Sequence, residues 1–582
     1  MSKLIIETNQ EEFSKLIDII PACFRNTFQS SGEFGSIATF GKLKVPTTNV
    51  HSGNSGFAVG IGTYIYEGKI DSDALRCIYE AFSGDVRALQ KVLIGSYAIA
   101  IWKNNKLVVF VDSNGTQDLY YTLDKYNVSI CSSLFHLGKV HRPISLNSEA
   151  MVQQLFQSCI VGDATILDGI SRLDGNHAIS WHEGIWSMDF LPPLDMSIEK
   201  GRSLSSAAAC KFSSIRDTFV TPAVAMTGGQ DSRLALSLLL GAGIRPRLIY
   251  WRGNSISTNT KEQDYECTCQ LASKYDLDVE VWDACDSSRE HYAKALGVFG
   301  EYAHLYGYNE NLIHSFFNTS VDFITFGYFG EMFRNTEDIQ AYDKESFTVA
   351  ELFDDLYLRG SYKDIYPEFT AYRAHILDSM TAICENLGID SSNLTKSDFQ
   401  HLNTEMYRKR ADIHMTNYAN QFMYSFLVLG DRMMTDSMNL MGFDDRVGSK
   451  PMIEAIHNLT PELLEVPFFS HIRKMKYDAQ SHALNEESQV KTRIKQYLQK
   501  EKKSAWYYPF ARRIYHLLNH DKKSLTELNR DSPAREKYLA LLESADVLQP
   551  IDRKRLNQLE LDSNILLNYH HFEIMWQEMN RG

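Results

Sequence analysis

Apolar residues follow two different rhythms along this chain, and the change falls close to residue 195. Before it, short runs of β-prone and small apolar residues alternate with turn residues. Gly95-Ser96-Tyr97-Ala98-Ile99-Ala100-Ile101-Trp102 predicts a strand, Lys103-Asn104-Asn105-Lys106 a turn, and Leu107-Val108-Val109-Phe110-Val111 the returning strand of a hairpin. Tyr120–Thr122 and Val128–Ser132 predict a second strand pair, and the near-helical spacing from about Asp73 to Phe82 predicts a helix before them. The first half is therefore expected to be a helix-flanked antiparallel sheet.

After residue 205 strands and helices alternate. Ala223-Val224-Ala225-Met226 predicts a strand, Arg233–Leu240 a helix closed by Gly241 and Gly243, and Leu248-Ile249-Tyr250-Trp251 the next strand. A helix over Lys261–Lys274, a strand at Val279–Trp282 and another at Asp322–Phe326 follow. Such alternation implies right-handed βαβ units and a parallel sheet. From about 350 the pattern is mainly helical. Between the halves, Leu191-Pro192-Pro193-Leu194 leads into Ser203-Leu204-Ser205-Ser206. Two adjacent prolines cannot continue a helix or a central strand, so this stretch reads as a linker.

Size and composition narrow the class. The chain has 582 residues, enough for several domains, with 44% hydrophobic and 23% charged residues, as in a soluble globular protein. No window approaches ~18 consecutive apolar residues, so no membrane span is expected. Met1-Ser2-Lys3-Leu4-Ile5-Ile6-Glu7 is not a secretory signal, and the expected location is cytoplasmic. Nine cysteines argue against a disulfide framework, and Cys267 and Cys269 have no second pair at zinc-site spacing. The net charge of −14 disfavours nucleic acid as a partner. One basic stretch, Lys491 to Lys503, runs into Trp506, Tyr507, Tyr508, Phe510, Arg512 and Arg513. It reads as a solvated helix beside an aromatic corner, or as a docking surface for an acidic substrate or peptide.

The strongest chemical signal is Thr227-Gly228-Gly229-Gln230-Asp231-Ser232, between a strand and a helix. Paired glycines let the backbone turn tightly, so that several N–H groups point into one concavity beside the positive end of the helix. Such a loop binds phosphate. Ser232 can donate its hydroxyl to the same anion, and Asp231 can hold the Mg2+ that accompanies a triphosphate. The spacing is not that of a Walker loop, which needs wider glycine spacing and a Lys-[Ser/Thr] pair.

This motif resembles the pyrophosphate-binding loop of the N-type ATP pyrophosphatases. Gly327-Tyr328-Phe329-Gly330-Glu331 is similar to the Gly-x-Gly-x-Asp element of asparagine synthetases and β-lactam synthetases, with Glu331 at the metal-binding acid. Asp264 matches an acidic position common in these enzymes, and Asp431–Met434 through Gly442–Arg446 resembles the stretch that closes their active site. In the first half, Gly95–Trp102, Asp112-Ser113-Asn114-Gly115, Leu119-Tyr120-Tyr121 and Ile170–His177 resemble the glutaminase domain of asparagine synthetase. The resemblance covers most of residues 55–460.

The resemblance implies three parts. Residues 1–195 would be a degenerate, Ntn-hydrolase-like α+β sandwich, and 205–470 an α/β ATP pyrophosphatase domain with a parallel sheet. Residues 471–582 would be a helical C-terminal extension of the latter. It also implies ATP and Mg2+, with Thr227, Gly228, Gly229, Asp231, Ser232, Tyr250 and Gly327 around the nucleotide and Asp231 and Glu331 on the metal. A glutaminase of this kind uses the thiol of an N-terminal cysteine, but position 2 is Ser2, and Cys23 lacks the family context. A serine hydroxyl is a far weaker nucleophile than a thiol near neutral pH. The amine is therefore expected to come from the substrate, as in β-lactam synthetases and lasso-peptide cyclases.

In β-lactam synthetases a tyrosine at the position of Tyr328 helps to deprotonate the attacking amine, and Tyr328 is the candidate base here. Asp364 and Glu368 are candidate acidic partners, Glu368 being the one carried forward as catalytic. Lys474, Lys476 and Lys491 are equal candidates for stabilising the adenylate transition state. Arg233 after the loop is less usual for the family.

The expected activity is AMP-forming amide-bond formation on a small-molecule or peptide carboxylate, with a precursor peptide and a maturation protease as conceivable partners. An ammonia-using asparagine synthetase and an inactive scaffold are the alternatives. RNA modification is disfavoured by the acidic balance.

Overall fold

The computed structural model describes residues 2–468 and 563–580, apart from 142–143, 158, 199–202, 254–257, 285–294, 302–309, 336, 341 and 358–367. Asp364, the three candidate lysines and the basic segment after Lys491 lie outside the described residues.

Twelve strands of the first half form two antiparallel sheets. The first contains β1 (Leu4–Glu7), β2 (Asn26–Gly32), β3 (Gly35–Phe40), β8 (Tyr120–Leu123), β9 (Val128–Cys131) and β10 (Ser171–Arg172), in the order β10-β8-β9-β1-β3-β2. The second contains β4 (Val50–Gly53), β5 (Gly56–Ile65), β6 (Ile94–Lys103), β7 (Lys106–Val111), β11 (His177–His182) and β12 (Ile185–Phe190), in the order β12-β11-β7-β6-β5-β4. The antiparallel sheet read from strand spacing is thus a pair of sheets, in keeping with the sandwich that the resemblance implies, with β6–β7 and β8–β9 paired as the sequence predicts.

Side-chain alternation explains the stacking, since neighbours along a strand face opposite ways. In β1, Leu4 and Ile6 enter the core between the sheets, while Ile5 faces helices α1 (Gln10–Ile19) and α4 (Leu134–Val140). In β6, Ala98 and Ala100 face inward, and Ile99 and Ile101 pack outward under α2 (Asp71–Ala81) and α3 (Val86–Val92). Helices therefore cover both outer faces. The helix α5 (Ser148–Gln157) adds to the first helical layer, and the last helix, Ser563–Asn580, packs on α4 and α5 through Ile574, Met575 and Met579. The described end of the chain thus lies against the first half.

The second half holds a five-stranded sheet in which every pairing is parallel. Its strands are β13 (Pro222–Met226), β14 (Arg247–Gly253), β15 (Val279–Ala284), β16 (Phe323–Thr325) and β19 (Tyr424–Ser425), in the order β15-β14-β13-β16-β19. Ala223, Val224, Leu248, Ile249, Phe323 and Ile324 are buried, as expected for a sheet covered on both faces. Helices α6 (Leu204–Ser213), α7 (Gln230–Gly241) and α8 (Thr258–Lys274) belong to this half. Within the stretch read as helical, Tyr424–Ser425 adds an edge strand, and a two-residue pair, β17 (Ser346–Phe347) with β18 (Leu394–Thr395), lies apart.

Residues 196–198 of the linker lie along the helix Arg432–Asn439. The Met196 amide donates to Asp436 Oδ2 at 2.9 Å and the Ile198 amide to Ser437 Oγ at 3.0 Å. Buried polar contacts join the halves. Asn417 Oδ1 accepts Gln117 Nε2 at 2.8 Å and the Asp118 amide at 3.2 Å, while its Nδ2 donates to the Thr116 carbonyl at 2.9 Å. The Lys42 ammonium, wholly buried, donates to the carbonyls of Gly62 (2.8 Å) and Asn420 (3.0 Å). Burial drives its pKa down to about 7, partly opposed by Asp71.

Candidate functional site

Chain order reverses at β13. The chain proceeds outward through β14 and β15, then returns to place β16 on the other flank of β13. In open parallel sheets such a switch point leaves a crevice beyond the carboxyl ends of the strands. The loop after β13 and the turn after β16 meet there, and they are the two segments singled out by sequence.

The β13 loop is compact. Ser232 Oγ accepts the Thr227 amide at 3.2 Å and donates to the Thr227 carbonyl at 3.1 Å, and the Gly229 amide donates to Thr227 Oγ1 at 3.2 Å. Gly228 donates its amide to Asp264 Oδ1, so the acid whose role the sequence leaves open fixes this loop from α8. Helix α7 starts at Gln230, three residues before its sequence-predicted start, with Gly229 as N-cap. Asp231 and Ser232 therefore sit in its first turn, where the helix end favours negative charge.

The turn after β16 lies directly on that loop. A Cβ on Gly327 would stand 2.5 Å from the Ser232 amide nitrogen, and one on Gly330 would stand 2.3 Å from the Asp231 Cβ. Only glycine permits this approach at either position. Between them, Phe329 takes φ +69°, a left-handed conformation that glycine would adopt more easily. Its amide donates to Asp412 Oδ2 at 2.9 Å and its ring is fully buried, which holds the conformation.

This approach gathers the predicted metal-binding acids. Arg334 Nη2 lies 3.0 Å from Asp231 Oδ2 and 3.6 Å from Glu331 Oε1. Arg408 pairs with Glu331 and reaches Asp412 at 3.3 Å. Burial raises the Asp231 pKa, against the pull of Arg334 and Arg408. Its second oxygen, Oδ1, is buried without a hydrogen-bond partner. A hard divalent cation prefers carboxylate oxygens. The orphaned Oδ1 beside a second carboxylate fits Mg2+, with the two arginines as competing cations. Neither arginine was expected from sequence: Arg334 follows the second motif directly, as the cap of the turn that carries Glu331, and Arg408 arrives from a distant element.

The other candidates divide. Tyr250 ends level with Met226 on the neighbouring strand, with its ring 5.1 Å from that of Tyr265. It is 2% exposed, and burial raises its phenol pKa. Tyr328 is 37% exposed at the turn, 6.0 Å from the Phe326 ring. Glu368 is exposed at the head of the helix Phe369–Leu387, and among the described residues its side chain makes no hydrogen bond or ion pair. Among the described residues no hydrogen bond joins Glu368 to Tyr328.

Arg233 turns away from the loop concavity. It is fully buried and donates to the carbonyls of Leu463 (2.9 Å), Val466, Pro467 (3.2 Å) and Gly228 (3.4 Å), with its guanidinium 4.3 Å from the centre of the Phe468 ring. Its unusual presence has a packing explanation. Asp431 caps the helix Arg432–Asn439 and pairs with Lys211 at 2.6 Å, and Arg446 donates to the carbonyls of Met438 and Met441, so the stretch resembling a closing segment is built into the fold. In the first half, Ser2 is 2% exposed and its Oγ accepts the Gly62 amide at 3.2 Å.

No family model and no curated protein matches the chain. Among solved structures it is similar to glutamine phosphoribosylpyrophosphate amidotransferase from B. subtilis complexed with ADP and GMP, at 9% identity and a TM-score of 0.23. That match covers 48% of this chain and 66% of the other. It is similar also to an allosteric regulatory enzyme of purine biosynthesis, at 9% identity and a TM-score of 0.23, covering 48% of this chain and 65% of that one. The chain thus spans just under two thirds of either. A TM-score of 0.23 carries no argument about fold or chemistry. Among the described residues no helix is long and apolar enough to cross a membrane.

Proposed function

We propose that the protein is an ATP-dependent, AMP-forming amide ligase of the asparagine-synthetase-like kind, its first half a degenerate glutaminase-like domain. The observation that carries this reading is the convergence of Thr227–Ser232 and Gly327–Glu331 at the switch point. There Asp231 and Glu331 share Arg334.

In this reading the amides at the head of α7 and the Ser232 hydroxyl receive the β- and γ-phosphates. Asp231 and Glu331 would hold Mg2+, which when bound neutralises phosphate charge. Arg334 and Arg408, released from the carboxylates, turn to the phosphate oxygens, where a guanidinium binds in a two-pronged manner. A substrate carboxylate oxygen attacks the α-phosphorus, the bond from that phosphorus to the bridging oxygen breaks, and pyrophosphate leaves. An amine then attacks the acyl carbon, the acyl–oxygen bond breaks, and AMP leaves as the amine proton passes to a base. Tyr328, half-exposed at the turn, is the candidate base.

The pairing of both acids with arginine also favours a second reading, an inactive scaffold in which these ion pairs are permanent. Nucleotide analysis after incubation with Mg·ATP, a panel of carboxylic acids and peptides, and free ammonia separates the two. The ligase gives AMP and pyrophosphate in equal amounts. Formation of ADP, or no turnover with any acid and amine, sinks the ligase reading.

A further inference from the structure

A second cluster of ionisable side chains lies in the first half and shares no residue with the nucleotide loop. Glu7 ends β1, Glu12 lies in the first turn of α1, and His141 caps the C-terminus of α4. His141 Nε2 stands 3.9 Å from Glu7 Oε2 and 3.7 Å from Glu12 Oε2. The three ligand atoms all lie within 4.8 Å of one another.

We propose that Glu7, Glu12 and His141 form a divalent-cation site, suited to Zn2+, that fastens α1 to α4 over the first sheet.

The independent sign is Glu7. Its side chain is 2% exposed, and Oε1 accepts the Asn9 amide at 2.8 Å. Oε2 points at His141 and Glu12 with no hydrogen-bond partner. His141 Nε2 is likewise buried without one. A buried carboxylate oxygen that lacks a donor is costly, and a cation removes that cost. Burial pushes the Glu7 carboxyl up to about 7, against the Ser129 hydroxyl that stands opposite it across the β1–β9 pair.

The donor set points to the kind of ion. One imidazole nitrogen and two carboxylate oxygens, without thiolate, suit zinc and its first-row neighbours. Zinc–ligand bonds of about 2.0–2.2 Å at tetrahedral corners place ligand atoms roughly 3.3–3.6 Å apart. The observed 3.7 and 3.9 Å from His141 therefore need a closure of a few tenths of an ångström, and the two carboxylate oxygens, which lie within 4.8 Å of each other, one of at most about 1.5 Å. Glu12 and His141, 30% and 27% exposed, can supply that movement while Glu7 stays fixed. Three protein ligands leave a fourth position for water, so the site is open on one side. Its described ligands bridge a strand and two helices, which makes it a structural clasp on the outer helical layer.

The test uses the full chain, freed of metal by chelator and kept without nucleotide. Zn2+ is titrated by calorimetry, and Co2+ is followed by its visible absorption. The expected result is one equivalent of Zn2+ bound, with a rise in melting temperature. Binding should weaken at least about tenfold in both Glu12→Gln and His141→Ala, and persist in Asp231→Ala. Both substitutions fall at part-exposed positions, and circular dichroism checks that each variant is folded. Absence of stoichiometric binding in the unmodified chain, or unchanged affinity in either folded variant, overturns the proposal. The Asp231→Ala control separates this outcome from failure of the ligase reading.

Discussion

Gly330 is a glycine because of Asp231: any Cβ at position 330 would lie 2.3 Å from the Asp231 Cβ and 2.6 Å from its Oδ1. The turn after β16 can rest on the β13 loop only while that atom is missing. Gly330→Ala is therefore expected to push the two acidic residues apart. It should lower stability by about 1–3 kcal/mol and cut nucleotide-dependent activity at least tenfold. Gly388→Ala is the comparison. That glycine has φ +68° but nothing within 4 Å, so only the left-handed backbone is penalised, by about 1 kcal/mol. Urea unfolding with parallel assays of AMP release checks both.

Arg334 offers a second test, because it occupies the acids that would hold Mg2+. Arg334→Gln should lower the Mg2+ concentration needed for half-maximal nucleotide binding, since the competing cation is gone. The same substitution should slow adenylation, since a phosphate ligand is gone. A Mg2+ titration of nucleotide binding, set beside the rate of AMP formation, measures the split. A fall in both affinity and rate would assign Arg334 a purely structural role.

Arg233 should behave differently. Its guanidinium serves the carbonyls of Leu463, Val466, Pro467 and Gly228, so Arg233→Ala leaves buried acceptors without donors. The expected loss is about 2–4 kcal/mol of stability, read by urea unfolding. Arg233→Lys should restore little, because an ammonium cannot span the same fork of acceptors.

The pair of His177 and Asp174 predicts a pH dependence. His177 Nδ1 lies 2.7 Å from Asp174 Oδ1, and that hydrogen bond raises the imidazole pKa above its ordinary value. Burial works against the Asp174 carboxylate, but the hydrogen bond and charge of His177 hold its pKa low. The imidazole's contribution is complete below its unfolded pKa of about 6.5 and is lost as pH rises through the raised folded value. The carboxylate's contribution is complete above about pH 4 and is lost on further acidification. Melting temperatures of the wild type and His177→Gln should therefore differ most between about pH 4.5 and 6 and converge on the alkaline side. A difference that is constant across pH 5–9 would rule out this assignment.

Much of the second half was legible because its strands are continuous apolar runs between glycines and helices. Ala223–Met226 and Leu248–Trp251 fall inside β13 and β14, and the paired glycines mark the loop between strand and helix. The first half hid more. Leu4–Glu7 is only four residues long with both faces buried, so no alternation marks it, yet it pairs with β3 and β9 in the middle of a sheet. In β5, Gly60 and Gly62 break the β-prone pattern, although the strand pairs with β6 along its whole length. At the site, Asp231 and Glu331 could be read from motifs. Arg408 and Asp412 could not, because they reach the site from distant elements through tertiary packing that no local spacing records, whereas Arg334 stands only three residues after Glu331 and its i,i+3 spacing could have marked it. Glu368 shows the converse: distance along the chain suggested a partner for Tyr328, and the fold leaves that residue exposed at a helix end.

In the proposed reaction this crevice activates a carboxylate at the α-phosphate of ATP. The most direct measurement is isotope exchange between pyrophosphate and ATP in the presence of Mg2+, against a panel of carboxylic acids and peptides, with Asp231→Ala beside the wild type. The expected result is exchange that depends on one class of acid and disappears in Asp231→Ala. Exchange that survives that substitution would contradict the role of the loop. Absence of exchange, together with absence of AMP when acid, amine and ATP are all supplied, would contradict the activity itself.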